Sequence, residues 1–190
     1  MRRDPLLAAK ASLVDLVGAV RALLYGRPAD RSVEGMLRER RGTCSTKHLF
    51  LARALAERFP HTQPQIVHRV YRAERERIRA RYGDAAAAVV PEDGLIDVHR
   101  DLLIQVDGRL ITLDATFPGG EPWDGRSSLP LACGRGEDVQ AGDNPDGDKR
   151  ALEARYWNPA VREPFIAALS PASERTAEQP PNGVGRGGSG

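Results

Sequence analysis

The chain has 190 residues, 41% of them hydrophobic and 28% charged, which supports one folded domain and excludes wholesale disorder. Twenty-eight Lys and Arg against 26 Asp and Glu leave a net charge of only +2, so nucleic acid is not an expected partner. No apolar run reaches the ~18 residues that a bilayer span needs, and the two cysteines, Cys44 and Cys133, are too few for a disulfide framework.

Met1-Arg2-Arg3-Asp4-Pro5 leads into Leu and Ala residues interrupted by Lys10 and Asp15, unlike the unbroken apolar stretch of a signal peptide. The expected setting is reducing and cytoplasmic. From Leu6 to Leu24, apolar residues including Leu13, Leu16, Val17, Val20 and Leu23 recur at helical intervals, predicting an amphipathic helix that stops at Tyr25-Gly26-Arg27-Pro28. Asp30 or Ser32 is placed to cap a second short helix through Met36 and Leu37, which Arg41-Gly42 breaks. Cys44 to Phe59 then patterns as a buried helix, with Leu49, Leu51, Ala52, Leu55, Ala56 and Phe59 on one side and Pro60 as its stop. Cys44 therefore falls in the first turn of a core helix.

Gln65 to Tyr71 reads as a strand. The Arg-rich stretch from Arg72 to Tyr82 reads as a solvated helix or loop edge, extended weakly through Ala85 to Ala88. Ile96 to Val106 and Arg109 to Phe117 are two strands joined by Asp107-Gly108, a strong hairpin signal. Residues 119–148 hold seven Gly, three Pro and seven carboxylates against two Arg, which predicts a long acidic surface loop positioned to cover a cleft. Lys149 to Trp157 and Pro159 to Leu169 are predicted closing helices, and residues 170–190 a disordered tail. The expected domain is thus 1–169, with its core at about 25–117. Its class is α+β: N-terminal helices, and a core helix carrying the cysteine packed on an antiparallel sheet.

With Val106 facing Arg109, the hairpin register places Leu102, Ile104, Val106, Ile111, Leu113 and Ala115 on one side. His99, Asp101, Gln105, Thr112, Asp114 and Thr116 fall on the other. His99 and Asp114 become diagonal neighbours, close enough for the carboxylate to accept a hydrogen bond from the imidazole. Asp101 lies opposite Asp114 on the same side and competes for that role. Cys44, at the start of a buried helix, sits where unpaired backbone N–H groups and the helix dipole favour a thiolate and a developing oxyanion. Gly42 just before it gives the backbone room to turn and a substrate room to approach. Cys133 is assigned no function. A zinc site built from Cys44, His48, His61 and His68 is disfavoured, because only one loose Cys-x3-His pair is close in sequence. His48 is expected to pack near the thiol, and Lys47 and Arg53 to face solvent.

The run Arg41-Gly42-Thr43-Cys44-Ser45-Thr46-Lys47-His48 opening a helix, with His99 on one strand and Leu113-Asp114-Ala115-Thr116 on the next, resembles the transglutaminase-like superfamily and its papain-like arrangement. The resemblance covers roughly Tyr25 to Phe117. The intervals are 55 residues from cysteine to histidine and 15 from histidine to aspartate. It implies that Cys44 is the nucleophile, His99 the general base and acid, and Asp114 the residue that orients His99. Members commonly follow the histidine with a small residue and a Trp, where this chain has Arg100 and Asp101. The side chain that would complete the oxyanion hole with the Cys44 N–H is not evident in the sequence.

These residues imply thiol-dependent acyl chemistry on a peptide or protein amide, hydrolysis before transamidation, with no cofactor and no metal. The alternative is a catalytically retired domain that binds a peptide or protein in the same cleft.

Overall fold

The Asp107-Gly108 turn carries positive φ at both residues, 49° and 73°, the geometry that matches the twist of the two strands it joins. Those strands, β4 (Leu95–Val106) and β5 (Arg109–Leu113), pair from Val106↔Arg109 to Leu102↔Leu113, in the register read from the sequence. In the computed structural model, which describes residues 11–156 and 158–178, the hairpin is part of a four-stranded antiparallel sheet. Its order is β5-β4-β3-β6, with β3 at Gln65–Ala73 and β6 at Gly136–Gln140. The fold is α+β.

Helix α1 (Leu13–Arg21) starts on a capping box in which Ser12 and Asp15 satisfy each other's backbone N–H groups. It is shorter than predicted, and residues 1–10 lie outside the described ones. Helix α2 (Val33–Glu39) is capped by Ser32. Between and after them, Tyr25-Gly26 and Arg41-Gly42, read as helix breakers, contribute two short parallel strands, β1 (Leu24–Tyr25) and β2 (Arg41–Gly42). Gly42 does not open space for a substrate: a Cβ there would come within 2.7 Å of Met36 Cγ and 2.8 Å of Thr46 Oγ1, so the glycine is needed for close packing.

Helix α3 (Cys44–Arg58) lays Leu51 and Leu55 against Leu102, Ile104, Ile111 and Leu113, with Leu16, Val17 and Val20 of α1 behind. Each large side chain fully removed from water there contributes about 1.5–3 kcal/mol. A second apolar cluster lies under α4 (Arg75–Tyr82) and α5 (Asp84–Ala88), where Ile78, Ala86 and Val90 meet Phe165, Ile166 and Leu169 of α7 (Pro159–Glu178). No described helix is long and apolar enough to cross a membrane.

Two predicted segments differ. The acidic stretch 119–148 is not one loop: it contains β6, which extends the sheet edge beside β3 through an Arg69–Asp138 ion pair of 2.8 Å, and the start of α6 (Pro145–Ala154). Helix α6 begins four residues earlier than predicted because Asn144 caps it through the Gly147 N–H and Pro145 occupies its first turn. Trp157, the predicted end of that helix, lies outside the described residues. The expected tail from residue 170 is helical as far as Glu178, since α7 runs Pro159–Glu178; residues 179–190 lie outside those described.

Candidate active site

Cys44 is the first residue of α3, and the side chain of its N-cap, Thr43, makes no capping hydrogen bond. The N-terminal N–H groups and the dipole of a 15-residue helix therefore act on whatever occupies that end. Strand β5 ends opposite Leu102, leaving the first half of β4 without a neighbour on that side. Two successive β4 residues reach the start of α3 there: His99 lines a cavity with Cys44 and lowers its thiol, and Arg100 Nη1 donates to Ser45 O at 2.9 Å.

His99 Nε2 lies 2.8 Å from Asp114 Oδ2, which leaves Nδ1 for the sulfur. Asp114 is held in turn by the N–H groups of Thr116 (3.0 Å) and Ala132 (2.6 Å). Both side chains are buried, and their protonation follows from one another. Burial disfavours a charged ring, but the Asp114 carboxylate and the thiolate outweigh it and raise the His99 imidazole well above its ordinary value. The Asp114 carboxyl, despite burial, is held far below the usual carboxylate range by His99.

The structure brings together Cys44, His99 and Asp114, and gives Asp114 rather than Asp101 the bond to His99. Asp101 is 1% exposed and its Oδ2 has no hydrogen-bond partner among the described residues. Burial pushes its carboxyl up to about 7, His99 opposing and Asp114 reinforcing that rise.

Lys149 is the group the sequence did not reveal. Its Nζ donates to Cys44 Sγ at 3.3 Å and to Ser45 Oγ at 2.8 Å, and it lies 3.7 Å from Glu153. Burial raises the Cys44 thiol, but the Lys149 ammonium first, then the hydrogen bond and charge of His99, overcome it and bring the thiol down to about 6. The segment expected to cover the cleft from outside is thus built into the site through Ala132 on Asp114, and Lys149, the residue directly after it, reaches the sulfur. Arg100 fastens it: wholly buried, it donates through Nη2 to Pro145 O and Asp146 Oδ1, each at 2.8 Å, while His68 Nε2 lies 3.0 Å from the same Pro145 oxygen.

His48 packs beside the thiol as expected, with a defined task. Ala115 N–H donates to its Nε2 at 2.8 Å, so the proton is on Nδ1, which donates to Cys44 O at 2.9 Å. Burial lowers this imidazole to about 3, keeping it neutral. Lys47 does not face solvent. It is wholly buried, and Nζ donates to Leu23 O, Thr116 O and Arg21 O, tying the end of α1 to the segment after Asp114. Arg53 is exposed as expected. Neither His48 nor His68 has been drawn to a metal cluster, and no group of three or more His, Cys, Asp or Glu side chains suited to hold an ion occurs among the described residues.

Two cavities meet at Cys44. One, of about 410 Å³, is walled by Lys149, Arg100 and Arg162 and opens past Arg31, Arg53 and Arg150. The other, of about 200 Å³, contains His99 and the rings of Tyr71, Tyr82, Phe117 and Phe165, with Cys133 in its wall. The Cys133 thiol is pushed up to about 11 by burial, the opposite of Cys44. Tyr25 lines both cavities, placed there by the pairing of Tyr25 with Gly42, two residues before the cysteine. Its ring stacks at a tilt on Phe117, 4.6 Å between centroids. Burial, reinforced by the Cys44 charge, holds its phenol well above the usual range, so it stays a donor. The chain matches no protein-family model, no curated protein and no solved structure.

Proposed function

We propose that the protein is a cysteine-dependent acyl-transfer enzyme of transglutaminase-like, papain-like arrangement that hydrolyses an amide or peptide bond through a thioester on Cys44. The observation that carries this reading is the pair of contacts His99–Asp114 and Lys149–Cys44, which sets an oriented imidazole and a cation beside a thiol at a helix start. Such a set favours an imidazolium–thiolate pair at neutral pH.

The Cys44 thiolate attacks the carbonyl carbon; the C–S bond forms as the C=O electron pair moves onto oxygen. The Cys44 N–H and the Tyr25 hydroxyl, a donor in the wall beside it, receive that charge. Collapse breaks the C–N bond, and the departing amine takes the proton from His99 Nδ1. His99 then accepts a proton from water, hydroxide adds to the thioester, and release of the acid restores the thiolate. Asp114 keeps the ring oriented and its positive charge stabilised throughout. The substrate is an amide of a peptide or protein.

Intact-mass spectrometry after incubation with p-nitrophenyl acetate tests the reading. The expected result is a single acetyl adduct on Cys44 that is absent in Cys44→Ala and forms at least tenfold more slowly in His99→Ala. An unmodified wild-type protein, or one acetylated only on lysines, removes the enzyme reading and leaves a peptide-binding domain.

A further inference from the structure

The two cavities at Cys44 differ in chemistry, and the catalytic groups divide them. His99 lines only the smaller and Lys149 only the larger, while Cys44 lines both. In the acyl-transfer reading the amine must collect its proton from His99, so it leaves through the smaller, ring-lined cavity. The acyl part stays bonded to sulfur and extends into the larger one.

The larger cavity carries an unbalanced positive charge. Of its four carboxylates, Asp97 is bonded to Arg162 at 2.7 Å, Asp146 to Arg100 at 2.8 Å and Glu153 to Arg162 at 2.6 Å; among the described residues only Glu34 has no ion pair. Against it stand Arg31, Arg53 and Arg150, all exposed at the mouth and none with an ion-pair or hydrogen-bond partner among the described residues. Arg100, buried in the same wall, has an Nε with no acceptor. A cleft lined by one sign of charge concentrates ligands of the other. The smaller cavity combines the faces of Tyr71, Tyr82, Phe117 and Phe165 with three arginines, of which Arg77 is paired with Glu74 while Arg72 and Arg81 donate to the backbone carbonyls of Asp93 and Leu131.

We propose that the larger cavity is a subsite for a carboxylate-bearing chain, so that the substrates are amides acidic on the acyl side. This rests on the acyl-transfer reading for which side is which, and the test separates the two.

The probes are p-nitrophenyl adipate, whose free carboxylate is anionic, and its neutral methyl ester, matched in the reacting group. Acylation of Cys44 by the anionic ester is expected to be about tenfold faster at low ionic strength, the combined effect of three exposed charges. The advantage shrinks in 1 M salt, because screening then acts within ~3 Å. It also shrinks in the triple variant Arg31→Gln, Arg53→Gln, Arg150→Gln. Equal rates for the two esters in the wild type, or an advantage unchanged in the triple variant, overturn the proposal while leaving the acyl-transfer reading intact. If neither ester acylates Cys44, that reading fails, and alkylation decides the subsite. A preference of Cys44 for iodoacetate over iodoacetamide, measured relative to free cysteine and lost in the triple variant, supports an anion-binding cavity; no such preference overturns it.

Discussion

Lys149 Nζ stands 3.3 Å from Cys44 Sγ across 105 residues of sequence, so the thiol faces an ammonium as well as the His99 imidazole. An imidazole and a helix start each favour a thiolate; here the buried ammonium adds a charge whose effect on Cys44 is larger than that of the histidine's charge. Glu153 does not neutralise it outright, because that carboxylate is shared with Arg162 at 2.6 Å.

Replacing Lys149 with Met removes the larger of the two stabilising charges, and the sign is fixed: without a cation the thiolate is disfavoured and the thiol titrates higher. The midpoint of the pH profile for iodoacetamide alkylation is expected to move up from about 6 towards the ordinary thiol value of about 8.5. With a midpoint near 7.5, alkylation at pH 6.5 falls about eightfold. An unchanged midpoint in a variant that retains its thermal transition shows that His99 alone sets the thiol.

Tyr25→Phe removes one hydroxyl and leaves the ring that packs on Phe117. The expected outcome is a loss of about 10²–10³ in kcat with little change in KM or in the Cys44 alkylation midpoint, the signature of a donor used only in the transition state. Loss of KM with kcat retained assigns Tyr25 to substrate binding instead.

His48 couples the site to stability at low pH. Its folded imidazole titrates at about 3, below the ordinary 6.5, so the unfolded chain takes up the proton first. The contribution is fully present above pH 6.5 and is lost as the pH falls towards 3. In urea titrations between those limits, His48→Gln is expected to flatten the fall in stability, because Gln accepts the Ala115 N–H without titrating. At pH 7 the same variant loses the donor to Cys44 O and is destabilised by about 1 kcal/mol. His68, lowered to about 4, keeps part of the acid sensitivity in the variant. Parallel curves for the two proteins would contradict the neutral clamp.

How much of this was legible follows from how local each signal is. The hairpin, its register and the capped start of α2 are written in adjacent residues, and the sequence pattern of Cys44, His99 and Asp114 needs only element order to become a site. Lys149 was not, because the contact depends on where α6 begins. The signal was there in Asn144-Pro145-Asp146, a cap, a first-turn proline and an acidic residue, which starts the helix before the lysine rather than on it. Strand β6 has no apolar alternation in Gly136-Glu137-Asp138-Val139-Gln140; its exposed edge is held by pairing to β3 and by Arg69, which composition does not encode. Lys47 reads as surface in any charge-based pattern. Its burial depends on three backbone carbonyls converging from the end of α1 and the segment after β5.

Asp101 gives the remaining prediction. Its carboxyl titrates at about 7 in the fold and near 4 in the unfolded chain, so between those values the folded state holds the proton and the unfolded state has released it. Stability therefore falls as pH rises from about 4 through 7, and above that the fold carries a charged, buried side chain whose Oδ2 has no partner among the described residues. Asp101→Asn keeps the shape without the charge. It is expected to raise the Tm at pH 8 by several degrees, the cost of such a group being about 1–3 kcal/mol and each kcal/mol about 2–4 °C. At pH 4.5, where the native carboxyl is already neutral, the two proteins should melt together. Scanning calorimetry at the two pH values decides it: a variant less stable than the wild type at pH 8 means that Asp101 is ionised and paired, and that its charge supports His99 alongside Asp114.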